Sequence, residues 1–144
     1  MRAPILRPAR PPQADPDPMP NDDHPLPTCR FDALADAVRN FRDERDWKQF
    51  HRPKDLALSI AIESGELLEH FQWRTDDEIA ARLSDAGARD AVGKEMADIL
   101  ILLISASDVL GIDLIATARA KLAENAAKYP IAKSRGRADK YDRL

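Results

Sequence analysis

The sequence predicts an all-α fold of four or five helices that assembles as a homo-oligomer. Three observations lead there. Beyond residue 28, apolar residues recur at helical rather than alternating spacing. Glycines number five and aromatics make up 6%, a balance that suits helices better than a sandwich or barrel. The stretch from Met96 to Ile104 is apolar nearly all round, so it needs neighbours on every side. A chain this short cannot easily supply them alone, and a bundle shared between copies can.

The elements follow in order. Nine of the eleven prolines lie within residues 4–27. Proline fixes φ and removes a backbone donor, so residues 1–28 are expected to be a disordered, polyproline-II-leaning tail. Its Pro8-Ala-Arg-Pro11 fits a PxxP ligand, although a match that short is common by chance. Residues 29–144 are expected to form the one folded domain. Phe31, Leu34, Val38 and Phe41 share one face of a first helix over about 31–45. Pro53 suits the first turn of a second helix, running to about Phe71. Thr75-Asp-Asp-Glu78 has the form of a capping box and starts a short third helix. A long apolar helix covers roughly 88–109 and stops at Gly111. Asp113 can cap a last helix that ends before Pro130. No strand pattern competes, and no repeat at solenoid spacing is visible.

Charge narrows the function classes. Residues 63–98 carry ten acids against four bases, whereas from Lys128 onward there are six bases against two acids. An acidic centre with a basic tail argues against a nucleic-acid polymer as partner, which calls for a continuous basic face. It suits a bound cation carrying an anionic substrate. Cys29 is the only cysteine, so no intrachain disulfide is possible and a reducing, cytoplasmic setting is expected. The apolar run Ile99 to Ile104 is far too short to span a bilayer, and the N-terminus shows no apolar signal region. No membrane partner is expected.

Four carboxylates carry the chemistry. Glu63 and Glu66 are three apart, as are Glu95 and Asp98, so on a helix each pair aims its oxygens at one spot. Leu58, Ile60 and Ile62 precede the first pair, and Ile99 and Leu100 follow the second. Carboxylates beside apolar faces are costly unless something neutralises them, and a hard divalent cation does so. All-oxygen ligands favour magnesium, manganese or calcium over zinc or copper. Gly65, inside the first pair, suggests close approach of a ligand or another backbone. Acidic pairs also decorate solvated helix faces, and the residues alone leave both readings open. A di-iron bundle would need Glu-x-x-His on two helices, and none of His24, His51 and His70 follows a Glu by three.

The run Glu63-Ser-Gly-Glu66-Leu-Leu-Glu69, followed by Lys94-Glu95-Met-Ala-Asp98, resembles the signature of the MazG-like all-α pyrophosphohydrolases. Glu44-Arg-Asp-Trp47-Lys-Gln-Phe50-His51, Phe71-Gln-Trp73, Lys128-Tyr129-Pro130 and Ser134-Arg-Gly-Arg-Ala-Asp-Lys140-Tyr141 are similar to its dCTP pyrophosphatase branch. The resemblance spans residues 31–141. It implies magnesium-dependent hydrolysis of nucleoside triphosphates to monophosphate and pyrophosphate, in nucleotide-pool sanitation, by a MazG-like bundle assembled as a homo-dimer or homo-tetramer. Manganese is a possible substitute. It implies Glu63, Glu66, Glu95 and Asp98 as metal ligands and catalytic residues, with Glu69 a candidate to orient the attacking water.

By the same resemblance Lys121, Asn125, Lys128, Tyr129, Arg135 and Lys140 supply phosphate and closing contacts. Trp47 and Trp73 can stack on a base or simply pack, since every base has a π-face. His51 is a further polar contact or a structural residue. Two departures stand out. Ile62 reduces the leading Glu doublet of the signature, and Val38 and Leu102 replace a His and a Tyr that animal members of the branch place near the base. A site with fewer placed donors discriminates poorly among bases, which implies a broader or different preference. Two alternatives remain at this point, a phosphoribosyl-ATP pyrophosphatase and a non-catalytic helical interaction module.

Overall fold

A computed structural model describes residues 30–141. The expected tail over 1–28, its PxxP match and Cys29 lie outside the described residues. Six α-helices follow in order: α1 Arg30–Asp43, α2 Pro53–Glu69, α3 Asp76–Leu83, α4 Ala86–Leu110, α5 Leu114–Lys128 and the short α6 Ile131–Ser134. A 3₁₀ turn over Trp47–Phe50 joins α1 to α2. No strand occurs among the described residues.

The ends of the helices are chemically defined. Pro53 stands in the first turn of α2, where its missing N–H costs nothing. Thr75 and Glu78 close a full capping box on α3, with Thr75 N–H donating to Glu78 Oε2 at 2.7 Å and Glu78 N–H donating to Thr75 Oγ1 at 3.3 Å. Asp85 caps α4 by accepting from Ala88 N–H at 2.9 Å, so the helix starts two residues before the sequence expectation. Asp113 caps α5 in the same way through Ala116 N–H at 2.8 Å.

At the far end of α4, Gly111 adopts φ 64° and closes a Schellman turn. Gly111 N–H donates to Asp108 O at 3.3 Å and Ile112 N–H to Ser107 O at 2.9 Å. The chain leaves that turn at 103° to α4. The 3₁₀ turn and α6 are additions to the sequence expectation, each a single turn too short to show periodicity.

The two long helices α2 and α4 form the main packed pair, with α1 and α3 laid against α4. The interior is thin. Ala35, Leu56, Val92 and Ile104 are its buried apolar residues, and only Ile104 is almost wholly enclosed. Arg42 is buried too, and ties α1 to α4 through Asp108. Met96, Leu100, Ile101 and Leu103 remain partly exposed on α4, as do Leu58 and Ile62 on α2. The expectation that α4 needs neighbours on every side therefore meets a protomer that covers only part of it. Among the described residues, helix α5 has no substantial packing partner. Among the described residues, no single helix is long and apolar enough to cross a membrane.

Candidate active site

The pairing of α2 with α4 sets the candidate site. Each helix projects its acidic pair from one face, and the packing turns the two faces toward each other. Ligand oxygens of Glu63, Glu66 and Glu95 come within 4.8 Å of one another. Asp98, a turn beyond Glu95, stands outside that trio but close enough for its charge to act on Glu63. Partial burial first, then the negative charges of Glu66, Asp98 and Glu95, push the Glu63 carboxyl above its ordinary value.

The cluster has little internal compensation. Lys94 turns outward to Asp90, at 2.8 Å. His70 Nε2 approaches Glu95 Oε1 at 4.0 Å, too far for a hydrogen bond. Converging carboxylates, one of them already disfavoured as an anion, fit a hard divalent cation with oxygen ligands. His70 was missed in the sequence because it follows no Glu by three. The signal was there at another spacing: it comes four residues after Glu66 and seven after Glu63, on the same helix face.

The aromatic residues divide. Trp47 opens the 3₁₀ turn and meets Phe41 edge to face at 5.8 Å. The Arg45 guanidinium, not singled out in the sequence, lies 3.7 Å from the centroid of Phe41. Trp47 is thus part of a packed cation–aromatic cluster. Trp73 is 93% exposed and sits at φ 62° in the loop after α2. His51 keeps its Nδ1 buried without a hydrogen-bond partner. Burial, followed by the nearby Arg42 charge, lowers its pKa, so it is a neutral imidazole at neutral pH.

An apolar cavity of about 240 Å3 opens between α1 and α4, lined by Ala37, Val38, Phe41 and Ile101. Ile101 comes three residues after Asp98, so the cavity lies about one helical turn from the carboxylates. Leu102 is half-buried beside it in sequence. A larger open cleft of about 640 Å3 lies near the other end of α4, among Arg39, Asp108, Asp113 and Arg119, and contains none of the expected site residues.

The basic residues form a second group. Lys128 and Lys140 each place an ammonium near the ring of Tyr141, at 5.7 and 5.8 Å, and Tyr141 meets Tyr129 edge to face at 6.1 Å. Lys128, Tyr129 and Lys140 are thereby gathered at the end of α5. Lys121 pairs with Glu124 at 2.9 Å on the same helix, Asn125 is exposed one turn on, and Arg135 follows α6. The bend after α4 carries this group away from the carboxylates of its own chain.

Residues 58–144, from α2 to the C-terminus, match the MazG-like family. The chain belongs to that family. This MazG-like chain is 40% identical to dCTP pyrophosphatase 1 of Bos taurus over 104 residues, covering 72% of the chain and 62% of the relative. Against the human dCTP pyrophosphatase 1 the identity is 38% over 104 residues, with 72% and 61% covered. The chain thus spans about three fifths of the length of the curated relatives it matches. Among solved structures, a pyrophosphatase from Archaeoglobus fulgidus superposes with a TM-score of 0.63 at 44% identity, covering 68% of this chain and 90% of that one. The all-α MazG-like reading of the sequence therefore holds.

Proposed function

We propose that this chain is a magnesium-dependent pyrophosphohydrolase of nucleoside and deoxynucleoside triphosphates, releasing monophosphate and pyrophosphate. The observation that carries the reading is the convergence of Glu63, Glu66 and Glu95 within 4.8 Å on the α2–α4 pair. The names of its relatives, dCTP pyrophosphatase and pyrophosphatase, support the reaction class.

Glu63, Glu66 and Glu95, with Asp98 beside them, are the residues that would hold the metal. Magnesium, or manganese in its place, supplies Lewis acidity toward the phosphates and a bound water of lowered pKa. The chain's own part is to concentrate negative charge where a cation is needed and to fix the facing carboxylates on two packed helices. Glu69, at the end of α2, is the residue assigned to orient the attacking water. No serine, cysteine or histidine nucleophile enters this scheme.

The substrate is dCTP-like in size, with Trp73 and the Val38 cavity serving the base. Val38 and its neighbours Ala37, Phe41 and Ile101 offer no polar group, so a base entering there is selected by shape rather than by hydrogen bonding. A broader base range than that of a strict dCTP enzyme follows. Residues 29–144 are the catalytic domain in this reading. The exposed apolar faces of α2 and α4 support a homo-dimer or homo-tetramer. A role in nucleotide-pool sanitation in the cytoplasm fits the reaction.

The test is a panel of ribo- and deoxynucleoside triphosphates with magnesium, resolving mono-, diphosphate and pyrophosphate products beside Glu95→Gln. Monophosphate with pyrophosphate, lost in the variant, supports the reading. No turnover of any nucleotide with magnesium or manganese overturns it.

A further inference from the structure

The end of α2 brings to the carboxylates one side chain that the reaction scheme leaves without a part. His70 follows Glu66 by four residues and Glu63 by seven, so the three share one face of that helix. The backbone around it is tied down. Phe71 N–H and Gln72 N–H both donate to Leu68 O, at 3.0 and 2.9 Å, and Arg74 Nε donates to His70 O at 3.1 Å. The packing of α2 on α4 then sets the imidazole beside Glu95, with Nε2 4.0 Å from Oε1.

Both side chains are largely enclosed, with 17% of His70 and 20% of Glu95 exposed. Among the described residues, no hydrogen bond reaches the Glu95 carboxylate, and the His70 ring makes none either. Lys94, the sequence neighbour of Glu95, pairs with Asp90 instead. Glu66 is exposed, so water can orient it; Glu95 is shielded and needs a partner from the protein. Closing from 4.0 Å to an ordinary hydrogen bond takes about 1 Å, which small rotations of the two side chains supply.

We propose that His70 is a positioning residue: its Nε2–H donates to Glu95 and fixes the angle at which that carboxylate faces Glu63 and Glu66. This rests on the pyrophosphohydrolase reading, in which Glu95 is a metal ligand. The donor is the Nε2–H that one tautomer of the neutral imidazole carries, so no change of protonation is involved. Carboxylates that hold a metal depend on such outer partners for their orientation, and losing one weakens metal binding or activity roughly 10- to 100-fold. His70 acts through Glu95 alone and touches neither the phosphates nor the attacking water.

The experiment titrates divalent manganese into the metal-free protein, with the free ion counted by electron paramagnetic resonance. His70→Leu keeps bulk at the position without a donor, and His70→Gln restores an N–H at a similar reach. His70→Leu is expected to weaken manganese binding ~10-fold without lowering the metal-free Tm. His70→Gln is expected to recover most of that affinity. Turnover in His70→Leu is expected to fall at limiting magnesium and to return as magnesium is raised, so the half-maximal magnesium concentration moves and kcat does not.

Wild-type manganese affinity in His70→Leu, beside an active wild-type, overturns the positioning role and leaves the pyrophosphohydrolase reading intact. So does a loss that His70→Gln shares in full, which marks the shape of the ring and not its donor. A lowered metal-free Tm in His70→Leu also overturns it, because the ring is then structural. An inactive wild-type overturns the pyrophosphohydrolase reading itself, whatever the variants bind.

Discussion

Arg42 Nη1 donates to Asp108 Oδ2 at 2.5 Å, while its Nε donates to Asp43 Oδ1 at 2.7 Å. Arg42 is 3% exposed and fastens α1 to the end of α4 through Asp108, which Arg39 of the same helix also approaches at 3.9 Å. Removing the cation leaves the partly buried Asp108 with only the more distant Arg39. Arg42→Met is expected to cost ~2 kcal/mol of stability, below the range for fully buried pairs because Asp108 is partly exposed. A urea midpoint unchanged from wild-type would refute this. Asp108→Asn, which keeps an acceptor for the guanidinium, is expected to cost less.

Glu63 connects the site to pH. Its pKa in the fold lies above the ordinary 4.5, so the folded state holds that proton more tightly than the unfolded chain does. Stability from this group is gained as pH falls through the raised pKa, and lost as pH rises through it. Above that window the ionised carboxylate, facing Glu66, Glu95, Asp98 and the more distant His70, strains the metal-free protein. Glu63→Gln is expected to raise the metal-free Tm at neutral pH, with the gain shrinking as pH approaches 4.5. Comparing variant with wild-type cancels the opposite pH dependence of Asp43, Glu78 and Glu124, whose carboxyls are held low. Magnesium is expected to raise the wild-type Tm and not the variant's. A variant less stable than wild-type without metal would contradict the account.

Trp73 holds a left-handed backbone while its indole stands in solvent. A bulky residue in that conformation costs ~1 kcal/mol or more relative to glycine. Among the described residues neither burial nor hydrogen bonding repays it, which is the pattern of a residue kept for a ligand. Trp73→Gly is expected to raise stability by ~0.5–1 kcal/mol and to weaken nucleotide binding, with KM rising more than kcat falls. Thermal melts and steady-state kinetics on one preparation check both halves. Loss of stability without change in KM would show a packing role.

The capping box on α3 is a separate check on local structure. Thr75→Ala removes the acceptor for Glu78 N–H and is expected to cost ~1 kcal/mol. Thr75→Ser, which keeps the hydroxyl, is expected to cost a few tenths of that. Equal losses in both variants would mean that the hydroxyl is not what matters.

Much of this arrangement was legible in the residues. Helix boundaries followed from local chemistry: Pro53, the Thr75–Glu78 box, Gly111 and Asp113 each act within one turn, so spacing alone locates them. The carboxylate pairs were legible because three-residue spacing fixes a shared face on any helix. What the sequence could not carry was the relation between faces. That Asp98 stands outside the tightest trio, and that His70 nears Glu95, depends on how α2 rolls against α4. The buried Arg42 was hidden for the same reason, since its partner Asp108 is 66 residues away. The start of α4 at Ala86 was missed although Asp85 is an ordinary cap, because glycine and alanine after it carry no apolar period.

The turn at Gly111 sets the heading of α5 through local backbone hydrogen bonds. Its two backbone hydrogen bonds and one left-handed residue belong wholly to the end of α4. The helix beyond therefore behaves as a lever arm aimed in advance: whatever docks against it meets a surface whose orientation entropy was already spent when α4 formed. A side chain at Gly111 would leave every charge on α5 in place and still misdirect all of them together.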